Sequence, residues 1–380
     1  MVEVTVILPT RNEAETIGSC IQKIKSVFEK YGIEGEIIVS DNSDDETPEI
    51  ARSLGAIVVT PDKLGYGYAY IYAFNYARGK YIVIGDADDT YDFEEIPKLL
   101  EPLMNGEADL VIGSRFKGEI KKGAMPWLHR YIGNPILTWF LNLFYKVGIS
   151  DAHSGFRAIR REVWEKMKLR SHGMEFASEM IIEAVRLGLR IREVPITYYP
   201  RKSGRSKLKS FSDGWRHLKF MLIYAPTYLY FIPGLLLGLI GVALMVFAYL
   251  QVYIGYSPGF HSMLLGSLFV LVGYQIIFLG LFAKLYGVSV GVFNADKITK
   301  SILNRLSLEK GATLGLTVFL IGFLYALHLV VSWITSGFKL LPLRGEDIIA
   351  FTLIVMGIQT IFNSFFLSMI VTIHSAVHRA

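Results

Sequence analysis

The stretch "YIVIGDADDTYDF" (residues 81–93) carries an apolar run straight into four carboxylates, Asp86, Asp88, Asp89 and Asp92. Like charges this close repel, and burying them is costly unless something positive is present. A hard divalent cation, Mg²⁺ or Mn²⁺, carrying a diphosphate would relieve that repulsion. Such ions prefer carboxylate and phosphate oxygens and often take only one or two protein carboxylates. The competing reading is an acidic helix start near Asp92, which suits Asp89, Asp92, Glu94 and Glu95. Asp86 and Asp88, flanking Ala87 at a strand end, stand too far upstream to cap that helix. Metal binding is therefore expected of that pair.

The elements that must position these acids alternate. Strands are predicted at 4–9, 35–41, 56–60, 81–86 and 108–114, and helices from Asn12 to about Glu29, from Thr47-Pro48, and over 67–79. Asn12 with Glu15 reads as a capping-box-like start to the first helix. This order argues for an α/β fold with an open, mostly parallel sheet, in which ligands bind at the carboxyl ends of the strands. Asp41, Asp86 and Arg115 fall at predicted strand ends and should converge on one crevice. Neither GxGxxG after the first strand nor GxxxxGK[ST] occurs, so the nucleotide sites those motifs mark are not supported. "KLGYGYA" (63–69) reads as a turn and helix start or as a weak phosphate signal.

Of the 380 residues 52% are hydrophobic and the net charge is +5, and the apolar excess lies in the second half. Spans of about 20 apolar residues cross a bilayer core of about 30 Å; they are expected near 227–250, 262–285, 311–334 and 348–372. Basic residues crowd before the first span (Arg201 to Lys219) and between the second and third (Lys297 to Lys310). The positive-inside rule then puts the N-terminal domain and the C-terminus in the cytoplasm of a multi-pass cell-membrane protein. Gly266, Gly273, Gly280 and Gly287 recur at heptad spacing and Gly234 pairs with Gly238, which favours close helix packing or homo-oligomerisation through the membrane helices. Few polar groups lie inside the spans, so they read as anchor and scaffold, with the chemistry elsewhere. The start "MVEVTVILPT" reads as a strand and not as a signal peptide. The single Cys20 excludes an intramolecular disulfide and any multi-cysteine metal site.

Six ordered motifs then carry a resemblance: "VILPTRNEAETI" (6–17), "IIVSDNSDDET" (37–47), "GDADDTYDF" (85–93), "GSRF" (113–116), "SDAHSGFRAIRREV" (150–163) and "REVPITYYPRKSGRSKL" (192–208). Together they resemble family 2 glycosyltransferases of the GT-A fold, close to the membrane-anchored polyprenyl-phosphate (dolichyl-phosphate) mannose and glucose synthases, over residues 1 to about 225. The resemblance implies a Rossmann-like mixed, mostly parallel sheet, and the apolar spans add a four-helix transmembrane domain after interfacial helices. With the hydropathy pattern, the expected domains are 1–210 (catalytic, with interfacial helices near 125–148), 211–226 (juxtamembrane amphipathic helix) and 227–380 (transmembrane).

By that resemblance Pro9, Arg11, Glu13, Val39 and Asp41 line the nucleotide base and ribose pocket. Asp86, Ala87 and Asp88 form the D-x-D metal and diphosphate motif, with Thr90 where relatives often carry the third metal contact as Gln. Arg115 is the arginine of the G-S-R motif, and Arg130, Arg201 and Lys207 hold donor and acceptor phosphates. Asp88, Arg115, Asp151 and Arg201 are the expected catalytic group. The implied reaction transfers a sugar, with inversion, from a nucleotide-sugar donor to a lipid monophosphate; no nucleic-acid partner is expected. A phosphate monoester has a second pKa of about 6, so such an acceptor arrives largely ionised and needs no strong general base. A basic cluster serves it better: Arg115, Arg130, Arg157, Arg201 and Lys207, since arginine suits bidentate phosphate contact. Asp151 would orient an arginine or the acceptor, or is simply a turn acid.

"MPWLHRYIGNPILTWFLNLFYKVG" (125–148) is broken at Asn134-Pro135, and each half is too short to span. With Trp127, Trp139, Arg130 and Lys146 it reads as interfacial helices, the alternative being a core helix pair. A processive polysaccharide synthase would carry Q-x-x-R-W, which is absent. A non-enzymatic membrane scaffold would be expected to have lost the acid pair or the arginines, which are intact. UDP-glucose and GDP-mannose both remain open as donors, although "DADDTYDF", "MPWLHRYIGNP" and "GMEFASEM" resemble a glucose-type prokaryotic branch.

Overall fold

The computed structural model describes residues 2–202, 210–253, 255–305 and 307–377, and the chain divides into two compact units, Met1–Met221 and Leu222–Ala380. The division falls within a helix, Ser210–Ile223, so the segment expected as a separate juxtamembrane piece is shared between the units.

The first unit alternates as its sequence predicts: β1 (Val4–Thr10), α1 (Ala14–Tyr31), β2 (Gly35–Asp41), α2 (Thr47–Ser53), β3 (Ile57–Val59), α3 (Tyr66–Phe74), β4 (Tyr81–Ile84), α4 (Ile96–Met104) and β5 (Leu110–Ile120). It continues with α5 (Asn134–Tyr145), β6 (Arg157–Arg160), α6 (Arg161–Met167), α7 (Phe176–Arg186), β7 (Ile191–Tyr198) and α8 (Ser210–Ile223). The seven strands run in the order β3-β2-β1-β4-β6-β5-β7. Four pairs are parallel, while β6 lies antiparallel to both β4 and β5, so the sheet is mixed and mostly parallel. From β1 the chain crosses to β2 on one side and later to β4 on the other. A crevice therefore opens at the carboxyl ends of β1 and β4, the usual ligand position in such sheets.

Helix α1 buries Ile17, Cys20, Ile21, Ile24 and Val27 at helical spacing against this sheet. The expected Asn12–Glu15 cap does not form. The helix starts at Ala14, and Asn12 sits at φ 57° with its side chain accepting from the Asp44 N–H at 2.9 Å. The loop after β2 serves the helix start instead, through Glu13 N–H to Thr47 Oγ1 (3.0 Å) and Ala14 N–H to Asp45 Oδ2 (3.3 Å). Helix α3 stops short of its predicted end because Glu36 takes Arg78 from both N–H and Nε (2.7 and 2.8 Å) and draws the chain into β4. At Gly79 a Cβ would lie 2.5 Å from the Thr5 nitrogen, so only glycine allows that approach. Strand β5 runs past its predicted end at 114 to Ile120, with its ladder to β7 interrupted between Ser114 and Glu119.

The second unit contains four helices long and apolar enough to cross a membrane: Thr227–Tyr249, Phe260–Ser289, Leu308–Thr335 and Gly345–Thr372. They lie within α9 (Ile232–Tyr249, with the preceding π turn Thr227–Phe231), α10 (Phe260–Ser289), α12 (Leu308–Thr335) and α13 (Gly345–Val377); a short α11 (Lys297–Arg305) precedes α12. The glycine stripes are used within this chain. A Cβ on Gly234 would lie 2.9 Å from the Gly273 carbonyl oxygen, and one on Gly241 2.6 Å from that of Gly266. Helices α12 and α13 meet the same way at Gly322 and Ala350 (2.5 Å). Ser267 with Thr352 (2.6 Å) and Tyr274 with Thr360 (2.5 Å) tie α10 to α13. The close-approach surface that suggested homo-oligomerisation is therefore occupied by intrachain packing and gives no support to an oligomer.

Candidate active site

The four acids have separate partners. Asp86, two residues past β4, accepts from Tyr66 Oη at 2.9 Å and Tyr70 Oη at 3.4 Å, both from α3. Gly155 backs it. A Cβ there would lie 2.8 Å from Tyr66 Oη and 3.0 Å from Asp86 Oδ2. Burial, and then the charge of Asp88, push the Asp86 carboxyl up to about 7, against the tyrosine hydroxyls and Arg115. Asp88 accepts from Thr90 N–H (3.2 Å) and Thr90 Oγ1 (2.5 Å), and its other oxygen lies 3.4 Å from Arg201 Nη1. Asp89, in left-handed conformation (φ 58°), is buried on Lys23 at 2.7 Å and on Lys202. Burial raises its carboxyl, but those two lysines hold it below the ordinary range. Asp92 accepts from the Glu94 N–H at 3.1 Å and caps the 3₁₀ turn Phe93–Glu95.

Protein cations thus engage Asp88 and Asp89, whereas among the described residues Asp86 has only hydroxyl partners. That donor set fits Mg²⁺ or Mn²⁺ held by Asp86 and Asp88. Among the described residues there is no group of three His, Cys, Asp or Glu side chains that could hold a metal ion. Thr90, expected as the third ligand, is buried with its hydroxyl donated to Asp88. It supports the acid.

Arg115 and Asp151 form one buried unit. Arg115 Nε and Nη2 reach Asp151 Oδ2 and Oδ1 at 2.7 and 2.8 Å, and the Arg115 backbone N–H adds a third bond at 3.0 Å. The guanidinium also lies 5.1 Å from the centre of the Tyr198 ring. Burial alone would lower its pKa, but Asp151 keeps it well above the ordinary arginine value. Arg201, beyond β7, bridges Glu13 Oε1 (2.5 Å) and Asp88.

Arg157 departs from expectation. It is 1% exposed, and its guanidinium donates to the carbonyls of Ser154, Ala177 and Ala152, each at 2.8 Å. A planar fork with five N–H donors suits inward carbonyls as well as it suits a phosphate, and here it ties residues 152–154 to the start of α7. It is not a phosphate ligand.

A cavity of about 410 Å³ at the ends of β1, β2 and β3 is lined in part by Arg11, Asp41, Ser43, Pro48, Arg52 and Leu64. Asp41 is held there by Thr10 Oγ1 (2.7 Å) and Ser43 Oγ (2.5 Å). Of the other expected pocket residues, Pro9 lies beside Ser40 in the β1–β2 ladder and Glu13 faces Arg201. The side chains of Val39 and Ala87 are buried in the core cluster. Arg130 stacks on Tyr131 at 5.4 Å, in the π turn His129–Gly133 that precedes α5. Trp127, Tyr131 and Trp139, in the same segment, leave more than half of their surface exposed. Lys207 lies outside the described residues.

Sequence reading missed Tyr66 and Tyr70, and Lys23 and Lys202. The run "YGYAYIY" was the available signal for the tyrosines, since alternate hydroxyls beside a strand-end acid could have been tested as donors. The lysine partners carry no local signal.

The family model for glycosyl transferase family 2 matches residues 5–168, and that for the glycosyltransferase family 2 C-terminal transmembrane region matches residues 281–371. A low-salt glycan biosynthesis hexosyltransferase of Haloferax volcanii is 49% identical over 365 residues, covering 96% of this chain and 88% of that one. A dolichyl-phosphate hexose transferase of the same organism is 35% identical over 214 residues, 56% of this chain and 89% of that one. Among solved structures, glucosyl-3-phosphoglycerate synthase from Mycobacterium tuberculosis, in complex with Mn²⁺, UDP and glucosyl-3-phosphoglycerate, is 24% identical, with a TM-score of 0.47 over 58% of this chain and 78% of that one. The chain belongs to glycosyl transferase family 2 and is a multi-pass membrane glycosyltransferase.

Proposed function

We propose that this family 2 enzyme transfers a hexose, with inversion, from UDP-glucose or GDP-mannose to a polyprenyl (dolichyl) phosphate at the cytoplasmic face of the membrane. The product is a lipid-phosphate-linked sugar that serves as donor for glycosylation. One observation carries the choice of acceptor: the Asp151 carboxylate is occupied on both oxygens by Arg115, and Asp88 by Thr90 and Arg201. Asp86 remains for the cation, and a site whose other two carboxylates are already engaged by arginines suits a nucleophile that arrives ionised. A lipid phosphate does, and a sugar hydroxyl does not. The names of the two Haloferax relatives, a hexosyltransferase and a dolichyl-phosphate hexose transferase, support hexose and lipid phosphate.

In this reading an acceptor phosphate oxygen attacks the anomeric carbon as its bond to the nucleoside diphosphate breaks. Arg11 and Asp41 hold the nucleoside end of the donor. Arg115, fixed by Asp151, meets the diphosphate, while Arg201 and Arg130 meet phosphate from the acceptor side. Asp86 and Asp88 would hold a divalent cation, which would supply charge neutralisation for the departing diphosphate. The exposed aromatic face around Arg130 lies at the membrane surface and brings the lipid phosphate beside it.

The test is transfer by purified protein in detergent with Mg²⁺ or Mn²⁺, radiolabelled UDP-glucose and GDP-mannose in parallel, and polyprenyl phosphate as acceptor. Label should enter the lipid phase from one donor and be lost with EDTA. Label on free polyprenol or on an oligosaccharide, with none on the lipid phosphate, would overturn the assignment. Spin labels along 127–145 that report no lipid contact would remove the interfacial placement.

A further inference from the structure

Glu193, on β7 opposite Ile112 of β5, is a nearly fully buried carboxylate with only 2% of its side chain exposed. Its Oε1 accepts from Ser150 N–H (2.8 Å), Ser150 Oγ (3.0 Å) and Asp151 N–H (3.0 Å). Its Oε2 lies 2.9 Å from Lys117 Nζ. Ser150 Oγ is also 2.7 Å from Ser114 Oγ, which accepts from the Lys117 N–H at 3.1 Å. Each hydroxyl has one proton, so these contacts have a single consistent direction: Lys117 N–H to Ser114, Ser114 to Ser150, Ser150 to Glu193.

Glu193 thereby grips the backbone at the residue that holds Arg115. Both oxygens of Asp151 are bonded to Arg115, so displacement of residues 150–151 is transmitted to the guanidinium. Charge-assisted bonds are shorter and stronger than neutral ones, which suits an anchor whose task is placement. We propose that Glu193 is a positioning residue for sugar transfer, acting through Asp151 to set Arg115. The inference rests on the reaction proposed above.

Its test uses Glu193→Ala and Glu193→Gln in the full-length protein in detergent. Donor is titrated at saturating polyprenyl phosphate, thermal unfolding is run alongside, and donor hydrolysis without lipid is a second readout. A misplacement of about 1 Å can cost on the order of 10²-fold. Glu193→Ala, leaving three donors without their acceptor, should therefore lower kcat by roughly 30- to 100-fold while donor KM changes by less than about threefold. Glu193→Gln keeps an acceptor oxygen for the three donors, and the half-exposed Lys117 can turn from its NH₂ into solvent, so it should return to within about fivefold of wild type. If the alanine variant does not fold, Ser150→Ala removes one of the three bonds and should lower kcat by roughly 5- to 10-fold.

An alanine variant with kcat within about threefold of wild type overturns the proposal. So does a glutamine variant as impaired as alanine, or a loss explained entirely by the unfolded fraction. Should wild type label no lipid from either donor, the reaction assigned above falls. Donor hydrolysis by wild type and variants then still reports whether Glu193 sets the reacting centre.

Discussion

Asp151→Asn separates an anchor from a base. Asp151 Oδ2 accepts two bonds from Arg115, while Oδ1 accepts one from Arg115 and one from the His153 N–H. An amide has a single acceptor oxygen, so however it turns, an NH₂ group confronts an Arg115 donor. The guanidinium, 7% exposed, keeps its charge and loses its counter-ion. Removing one partner of a buried pair costs about 3–5 kcal/mol, and the remaining amide oxygen argues for the lower end. In a unit spanning Met1–Met221, each kcal/mol shifts melting by roughly 2–4 °C, so the transition should fall by roughly 6–12 °C. Scanning calorimetry of the full chain in detergent measures this, with lipid-linked transfer followed on the same preparation. Asp151→Leu combined with Arg115→Met, which replaces the pair by apolar groups, should recover most of the melting temperature and none of the activity. A single variant that melts within about 2 °C of wild type yet has lost transfer would refute the anchor and make Asp151 a base acting on the reaction.

Other perturbations test the remaining structure. His217, with Nδ1 2.8 Å from Ser178 Oγ, packs edge-on against His153 at 4.5 Å. Burial lowers both imidazoles, and His217 falls to about 4. The unfolded chain therefore takes up protons below about pH 6.5 that the folded chain refuses, and stability present above that pH is lost on acidification. For His217 alone the loss is ~3 kcal/mol by pH 4. Urea melts from pH 7.5 to 4.5 should show it, and a His217→Phe variant with an undiminished slope would remove His217 as its source. Asp88→Ala should cut lipid-linked transfer by about a hundredfold or more while leaving membrane insertion intact; full activity, or activity indifferent to EDTA, would remove the cation from the reading. Gly241→Leu places a side chain where a Cβ already lies 2.6 Å from the Gly266 carbonyl. It should lower the melting temperature of the membrane unit without changing the number of chains per micelle. A change in that number would restore the glycine stripe as an oligomer contact.

Several parts of this molecule were legible locally. Apolar length alone identifies the four membrane helices, and their observed ranges overlap every predicted span. The 3.6-residue rhythm of α1 and the short apolar strands before Asp41 and Asp86 follow from backbone geometry, so they can be read without knowing what lies across the sheet. Acid spacing likewise distinguishes Asp92, which caps the next turn, from Asp86 and Asp88. Reading failed where a side chain chooses among distant partners. The first helix has its start served by Asp45 and Thr47, because the β2 loop outcompetes the local cap. β6, only four residues long, enters the sheet antiparallel, and so short a run has too little periodicity to announce itself.

The same division runs through the candidate site. Sequence by itself determined which charges occur, which acids stand at a strand end and how many helices can span a bilayer, because those properties depend on composition and on spacing along one chain segment. Only the tertiary structure decided who neutralises whom. Asp89 finds Lys23 and Lys202 across 66 and 113 residues, and Arg201 finds Glu13 across 188. Arg157 turns into a loop of carbonyls while Arg115 meets Asp151, and the membrane glycines face each other within one chain. A charge or a missing Cβ has no preferred partner in one dimension; burial and direction select one only after the sheet and the helices have packed.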